Sequence, residues 1–154
     1  MEEVVKGAKR GHYAASLMDP NQARGFRVQL RNVIHNSVMV RWSDRGVEEI
    51  SAKLWVYGCD GDDQVGYLLV SEKVAGSFAT DIELYKAGVR ADRRTEGHGR
   101  RIVQLFTAFS PKSVKLYARC FAPSEGMFHL LKEVGFTHFN TTAGGTRELQ
   151  LSEA

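Results

Sequence analysis

The sequence predicts a mixed α/β fold of the α+β kind, with helices flanking a mostly antiparallel central sheet. Strand-like segments follow one another between residues 37 and 70, as in an antiparallel meander. Strand and helix patterns then alternate over residues 81–134, which makes the sheet a mixed one. Two short strands close the chain across a glycine-containing turn, so the sheet is expected to end in a hairpin.

The composition indicates one globular domain spanning residues 1–154. Hydrophobic residues make up 43% and charged residues 25% of the chain, as in ordinary globular proteins. The net charge of +3 suits an anionic ligand without requiring nucleic acid. Cys59 and Cys120 lie far apart and lack metal-binding spacing, which favours reduced thiols in a cytoplasmic protein. No signal peptide or membrane span is expected, and no metal or membrane partner.

The first fifty residues are the least regular part of the pattern. Apolar residues over 4–17 favour a helix, although Gly7 and Gly11 weaken it. Residues 21–35 fit a strand or a helix, and we favour a helix after the break at Pro20.

The remaining elements follow in order along the chain. Strands are expected at 37–42, 50–57, 64–70, 81–89, 114–118, 136–140 and 146–151. The turn before residue 64 is rich in aspartate but lacks the twelve-residue calcium loop, so no metal is expected there. Helices are expected at 97–109 and 124–134, each with an apolar stripe. The first stripe is Ile102, Val103, Leu105, Phe106 and Phe109, and the second is Met127, Phe128, Leu130, Leu131 and Val134.

The segment from Val89 to Arg100 is the most informative part of the sequence, and we call residues 90–97 the arginine turn. The segment from Val89 to Arg100 joins a strand to a helix and carries the pattern Arg94-x-x-Gly97-x-Gly99. The first amides of a helix lack internal partners and the helix dipole is positive there, so such a turn suits a phosphate. The pattern is neither a P-loop nor the dinucleotide fingerprint, and a plain helix-starting turn is the alternative.

This pattern, in its context, resembles the cofactor-binding motif of the GNAT superfamily of N-acetyltransferases. Val89 precedes Arg94 by five residues, as in that family, and residues 114–118 match its next strand. Residues 124–136 match its last helix with the closing Gly-Phe pair. The resemblance covers roughly residues 52–152. It implies a GNAT-like fold that binds acetyl-CoA or another short acyl-CoA, with residues 1–50 on the acceptor side.

The resemblance also implies which residues bind the cofactor. Main-chain groups at the end of the strand would bind the pantetheine arm, and amides of the arginine turn would bind the pyrophosphate. Glu96 is unusual in this position, and its carboxylate should point away from a phosphate. The predicted cofactor-binding residues are Ala87, Gly88, Val89, Arg94, Thr95, Glu96, Gly97, His98, Gly99 and Arg100.

Glu83 is the candidate general base. It lies eleven residues before Arg94, where some protein-lysine acetyltransferases of the family carry a catalytic glutamate. Strand alternation would place it on the same face as Tyr85, Ala87 and Val89. A structural, ion-paired carboxylate is the alternative.

The general acid is where the sequence departs from the family pattern. Many members carry a tyrosine four residues before the closing glycine, where this chain has Leu131. Cys120, Ser124 and His129 are the nearby groups that could replace it, as could water. The alternatives are a buried small side chain for Cys120, a helix N-cap for Ser124 and a surface position for His129.

The favoured function is transfer of an acetyl group from acetyl-CoA to an amine acceptor by direct attack. The acceptor could be a small molecule or a protein, and homodimers are common in the family. An inactive acyl-CoA-binding regulatory module is the alternative. A third hypothesis, contact with nucleic acid through Arg90, Arg93, Arg94, Arg100 and Arg101, is disfavoured because no aromatic stacking platform accompanies them.

Overall fold

A computed structural model of the chain describes residues 9–10, 18–43, 46–59, 63–75 and 78–151. These residues form one sheet with helices on both faces. The helices are α1 (Pro20–Asn36), α2 (His98–Phe109) and α3 (Glu125–Glu133). The strands are β1 (Val38–Ser43), β2 (Gly46–Cys59), β3 (Asp63–Ala75), β4 (Phe78–Val89), β5 (Lys115–Cys120), β6 (Phe136–Thr141) and β7 (Arg147–Leu151). Each predicted element from residue 21 onward is confirmed, while the helix expected at 4–17 lies almost entirely outside the described residues.

The seven described strands pair in the order β1-β2-β3-β4-β5-β7-β6. All neighbours are antiparallel except β4 and β5, which run parallel and are connected through α2. The mixed, mostly antiparallel α+β sheet predicted from the sequence is therefore confirmed.

Helix α1 settles the ambiguous segment between residues 21 and 35. The side chain of Asp19 accepts hydrogen bonds from the amides of Asn21 and Gln22, at 2.7 and 3.2 Å. Pro20 occupies the first turn, where its missing N–H costs nothing. Capping thus starts a helix that the apolar pattern alone does not specify.

Two apolar clusters lie on opposite faces of the sheet. The larger is formed with α2 and α3 around Val103, Phe106 and Leu131, which are fully buried. The smaller is formed with α1 around Phe26 and Leu69. We call these two sides the α2/α3 face and the α1 face of the sheet.

The predicted stripes of α2 and α3 need correction at their margins. Phe109 is 73% exposed and is the last residue of α2. In α3 only Leu131 is fully buried, while Met127, Phe128, Leu130 and Val134 are partly buried against the larger cluster.

Strand β4 contains a bulge at Tyr85. Leu69 of β3 pairs with Lys86, whereas the next β3 residue, Val70, pairs with Leu84, which leaves Tyr85 unopposed. An extra residue reverses the alternation of side chains beyond it. The bulge therefore decides which β4 side chains share a face.

Strands β4 and β5 stay paired only as far as Leu84 and Ala118. Beyond that pair β4 remains bonded to β3 and continues to Val89, while β5 remains bonded to β7. The two parallel strands therefore part at their carboxyl ends and leave a gap in the middle of the sheet.

Close contact between β3 and α2 depends on Gly66. A Cβ there would lie 2.7 Å from the carbonyl oxygen of Gly88 and 2.8 Å from Ile102 Cδ1. We expect Gly66→Ala to lower the free energy of unfolding by about 1–3 kcal/mol, because backbone or α2 must shift. Urea unfolding measures the change.

Gly25 provides the matched control. It lies in the interior of α1, is exposed, and a Cβ there would meet nothing within 4 Å. Gly25→Ala should raise the free energy of unfolding by roughly 0.5–1 kcal/mol, since alanine is the better helix former. Equal effects of the two substitutions would contradict the close packing at Gly66.

Candidate active site

A groove of about 1220 Å³ occupies the gap between β4 and β5. Its walls include the end of β4 from Tyr85 to Val89, the end of β5 at Arg119 and Cys120, and the first turns of α2 and α3. Because strand ends and helix N-termini meet there, backbone donors and side chains from four elements converge on one space.

The start of α2 is open toward this groove. Gly97 caps the helix in the left-handed conformation with φ of 82°, and no side chain caps the N-terminus. A Cβ on Gly97 would meet nothing within 4 Å, and one on Gly99 would meet only Leu130 Cδ2 at 3.6 Å. The space that an anion would need beside the first amides of α2 is therefore present.

The arginine turn is held in place by Asp63 at the start of β3. One carboxylate oxygen of Asp63 accepts a hydrogen bond from Arg90 and the other accepts one from Arg93. Arg90 also binds Asp92, and this guanidinium holds the pKa of Asp92 below its usual range. Two of the turn's arginines thus serve to fix its backbone.

Glu96 is directed into the turn itself. Its carboxylate accepts a hydrogen bond from Arg93 Nε at 3.1 Å and lies 3.1 Å from His98 Nε2. Arg93 and then His98 lower the pKa of Glu96. The His98 ring also packs against Tyr57, with centroids 5.7 Å apart, and His98 forms part of the groove lining.

Arg94 and Arg100 lie at the rim. Arg94 Nε donates to the carbonyl oxygen of Val89 at 3.1 Å, so its side chain folds back over the end of β4. Arg100 forms an ion pair with Glu133 of α3, and both side chains are about half exposed. Exposed pairs of this kind contribute only about 0–1 kcal/mol, so Arg100 is readily released to another anion.

The structure brings together most of the residues predicted from the sequence. Nine of the ten predicted cofactor-binding residues line the groove, and Glu96 is the exception. The three candidate catalytic residues, Glu83, Cys120 and Ser124, also line it.

Glu83 is bound by Arg119, which sequence reasoning missed. Arg119 Nε and Nη2 donate to the two carboxylate oxygens of Glu83 at 2.6 and 3.0 Å. The Glu83 side chain is 16% exposed and that of Arg119 is 44% exposed. This bidentate pair joins β4 to β5 at the point where the strands part.

The predicted face of Glu83 is wrong in part. Glu83 lies between Ile82 and Leu84, which belong to the α2/α3 cluster, so its side chain points to the α1 face with Tyr85. Ala87 and Val89 instead pack against the α2/α3 cluster. The bulge at Tyr85 causes the difference.

The candidates for the general acid differ in their surroundings. Cys120 is 3% exposed and packs in the larger cluster, and burial raises the pKa of its thiol to about 11. Ser124 occupies the N-cap position of α3, as the alternative interpretation predicts, but its side chain makes no capping hydrogen bond. Ser124 is partly buried at the groove wall.

Leu131 and His129 lie away from the groove lining. Leu131 is fully buried in the larger cluster, and the groove wall on this helix is formed by Met127 and Leu130 instead. His129 is on the surface, 3.1 Å from Glu125, as the alternative interpretation of this histidine predicts.

Lys86 is a second residue that sequence reasoning missed. The bulge turns it to the α1 face, where its Nζ lies 5.4 Å from the Phe26 ring centroid and 5.3 Å from that of Tyr85. Burial lowers the pKa of Lys86 to about 8, partly offset by the charge of Glu83. The sequence does not indicate the bulge that turns Lys86 to this face. Arg119 could have been identified as a candidate, because it lies at the end of a parallel strand.

The sheet, its split between β4 and β5, and the arginine turn before α2 together define the GNAT acetyltransferase fold. An acetyltransferase of the GNAT family from Streptococcus agalactiae 2603 aligns with a TM-score of 0.59 at 11% identity, over 99% of this chain and 85% of that chain. A spermidine N-acetyltransferase from Vibrio cholerae, solved with CoA and spermine, aligns with a TM-score of 0.55 at 12% identity, over 83% and 72%.

Sequence identity to these solved structures is low, so the likeness shows the fold alone. An acetyltransferase from Thermus thermophilus is 22% identical with a TM-score of 0.52, over 64% of this chain and 62% of that chain. The alignment thus spans less than two thirds of that protein. No protein-family model matches the sequence, and comparison with curated proteins finds no significant match.

Two further observations concern the described residues only. They contain no helix that is both long enough and apolar enough to cross a membrane. They also contain no group of three or more histidine, cysteine, aspartate or glutamate side chains arranged to hold a metal ion.

The burial of Lys86 predicts a pH-dependent stability. Burial disfavours the ammonium form, so between about pH 8 and 10.5 the unfolded chain holds a proton that the folded chain has lost, and stability rises with pH. Below pH 8 the full burial penalty remains. Lys86→Met should therefore be more stable than the wild type at neutral pH by roughly 1–3 kcal/mol, with the difference shrinking as pH rises through this window.

Urea unfolding at intervals across the window measures this trend. Lys86→Arg is the control, because arginine stays charged throughout this pH range. The difference in free energy of unfolding between Lys86→Met and Lys86→Arg should therefore stay constant from neutral to alkaline pH. A Lys86→Met difference that does not change with pH would contradict a buried, titrating Lys86.

Proposed function

We propose that the protein is an N-acetyltransferase that transfers an acetyl group from acetyl-CoA to an amine acceptor. The main support is the groove, which runs from the open N-terminus of α2 into the gap where β4 and β5 part. Such a groove offers an anion site at one end and a slot beside exposed strand edges at the other.

The residues fit an acyl-CoA. The start of α2 has room for a diphosphate at Gly97 and Gly99, and Arg94 and Arg100 stand beside it. We propose that the backbone of Ala87 to Val89 binds the pantetheine arm, since this stretch no longer pairs with β5. When bound, acetyl-CoA supplies an acetyl group activated as a thioester.

Orientation would provide much of the catalysis. The acceptor nitrogen forms a bond to the acetyl carbon, the carbon–sulfur bond breaks, and the nitrogen loses a proton while the sulfur gains one. We propose Glu83 as the group that receives the proton from the amine. Its pairing with Arg119 leaves further lone pairs on both carboxylate oxygens, so it can accept while staying bound.

The departing sulfur needs a donor. We propose that the hydroxyl of Ser124 donates a hydrogen bond to the departing sulfur, because Ser124 lines the groove at the start of α3. Solvent water then gives the sulfur its proton, and the proton taken up by Glu83 returns to solvent. Cys120 is less suited, since its proton leaves a thiolate buried in the core, an unfavourable state that its raised pKa reflects.

One observation favours the alternative of an inactive acyl-CoA-binding module. Leu131 stands where many family members carry tyrosine, and it is fully buried in the core. Both functions predict cofactor binding, and only the enzyme predicts transfer. The nucleic-acid hypothesis is weakened because Arg90 and Arg93 both pair with Asp63 of the chain.

Location and assembly stay proposals. Cys120 is a free, buried thiol, which supports a reducing compartment such as the cytoplasm. Homodimerisation stays a prediction from the family resemblance.

Acetyl-CoA binding is the first test. Millimolar acetyl-CoA should raise the melting temperature of the wild type, and Gly99→Glu should abolish the increase, because a carboxylate would enter the space beside the first amides of α2. Thermal denaturation with and without acetyl-CoA measures the effect.

Gly144→Glu is the matched control. Gly144 lies in the turn between β6 and β7, is not part of the groove wall, and a Cβ there would meet nothing within 4 Å. Gly144→Glu makes the same chemical change as Gly99→Glu and should keep the full increase in melting temperature with acetyl-CoA. An unshifted wild type would count against both acyl-CoA hypotheses.

Transfer is the second test. A panel of amines with acetyl-CoA should release free CoA thiol, and Glu83→Gln should lower kcat by about 100-fold or more, as loss of a general base does. Thiol detection and mass spectrometry of the acetylated amine measure the rate and the product.

Glu72→Gln provides the comparison for this substitution. Glu72 lies on β3, outside the groove, and pairs with Lys53, so removing its charge should leave kcat within about twofold. Normal turnover by Glu83→Gln would remove Glu83 from the mechanism. Cofactor binding without any transfer would favour the inactive module.

A further inference from the structure

We call the end of the groove opposite the start of α2 the acceptor end. It carries two cationic side chains on the α1 face of the sheet. Lys86 lies beside Phe26 and Tyr85 just past the bulge in β4. Arg119 lies at the end of β5, on the other side of the gap. The cause is structural, since the bulge and the parting of the strands turn both side chains toward the same opening.

Two carboxylates of the described residues line this end of the groove, and both accept hydrogen bonds. Glu83 accepts two hydrogen bonds from Arg119, and Glu148 of β7 accepts one from Asn140 Nδ2 at 2.6 Å. Arg119 therefore offsets the charge of Glu83, whereas the neutral amide of Asn140 leaves Glu148 its negative charge. Arg10, which also lines the groove, adds a further positive charge.

Arg119 has donor capacity to spare. Its Nε and Nη2 bind Glu83, while its Nη1 has no hydrogen-bond partner among the described residues. The side chain is 44% exposed and lines the groove. A guanidinium in this state can donate to a second carboxylate in a charge-assisted hydrogen bond.

The Glu83–Arg119 pair places opposite charges side by side, which is also the arrangement in an α-amino acid. An acceptor of that kind would direct its amine to Glu83 and its carboxylate to Arg119. The second cation, Lys86, lies on the same face and adds to the attraction for the carboxylate. A simple amine would bring no negative charge to either cation.

We propose that the acceptor is an amine that carries a carboxylate next to it, an α-amino acid or a close analogue, bound through Arg119 and Lys86. The inference rests on the proposed function and names its substrate class. It assigns Arg119 and Lys86 as specificity-determining residues and Glu83 as the group that faces the amine.

Matched pairs of acceptors test this class. L-phenylalanine with phenethylamine, and L-lysine with cadaverine, differ only in the carboxylate. At saturating acetyl-CoA, the better amino acid should exceed its decarboxylated partner in kcat/KM by about ten- to 100-fold, the range expected for a charge-assisted hydrogen bond. Spermidine should be a poor acceptor.

Variants separate the two cations from general effects. Arg119→Gln and Lys86→Met should each raise KM for the amino acid by about tenfold or more and narrow the preference over its decarboxylated partner. The melting shift with acetyl-CoA should persist in both. Lys115→Gln removes an exposed charge from the same strand as Arg119, outside the groove, and should leave the preference unchanged.

Binding distinguishes failure of this inference from failure of the proposed function. With CoA present, the preferred amino acid should raise the melting temperature further, and Arg119→Gln should remove that increment. If the amino acid raises the melting temperature further but no acetyl group is transferred, the inference is supported and the proposed enzyme activity is overturned. Equal or better use of the decarboxylated amines would overturn the inference and support the enzyme. Amino acids that neither bind nor react would also overturn the inference.

Discussion

The site exists because β4 parts from β5. Two parallel strands normally stay bonded along their shared length, but here pairing stops at Leu84 and Ala118. Each strand keeps its other neighbour, so β4 follows β3 and β5 follows β7. The edge of β4 beyond the bulge therefore borders the groove instead of β5. A groove of this kind can bind an extended ligand through main-chain hydrogen bonds.

Charge divides the groove into two ends. At the α2 end, Asp63 fixes the arginine turn through Arg90 and Arg93, which leaves the helix N-terminus and the rim arginines to meet an anion. At the opposite end, the Glu83–Arg119 pair holds the two strands together across the gap. The first arrangement suits a diphosphate, and the second suits a small zwitterion. Both use pairs within the chain to position groups before any ligand arrives.

The sequence was sufficient for the fold and for the cofactor end of the groove. Alternating strands, the apolar stripes of the helices and the glycines at positions 97 and 99 are local signals, and nine of the ten predicted residues line the groove. The acceptor end was not predictable in the same way. The face of Glu83 relative to Val89 depends on the bulge at Tyr85, which is a register feature between strands, and Arg119 meets Glu83 only after β4 and β5 pair. Long-range pairing leaves no periodic trace in either segment.

Acetyl-CoA should bind in the groove between β4 and β5 with its diphosphate at the start of α2. Titration of the ¹⁵N-labelled protein with acetyl-CoA, followed by amide chemical shifts, locates the ligand residue by residue. We expect the largest changes on residues 94–100 and on Ala87 to Val89. Changes confined to strands away from the groove, such as β1 or β6, or no change at millimolar acetyl-CoA, would contradict this binding mode.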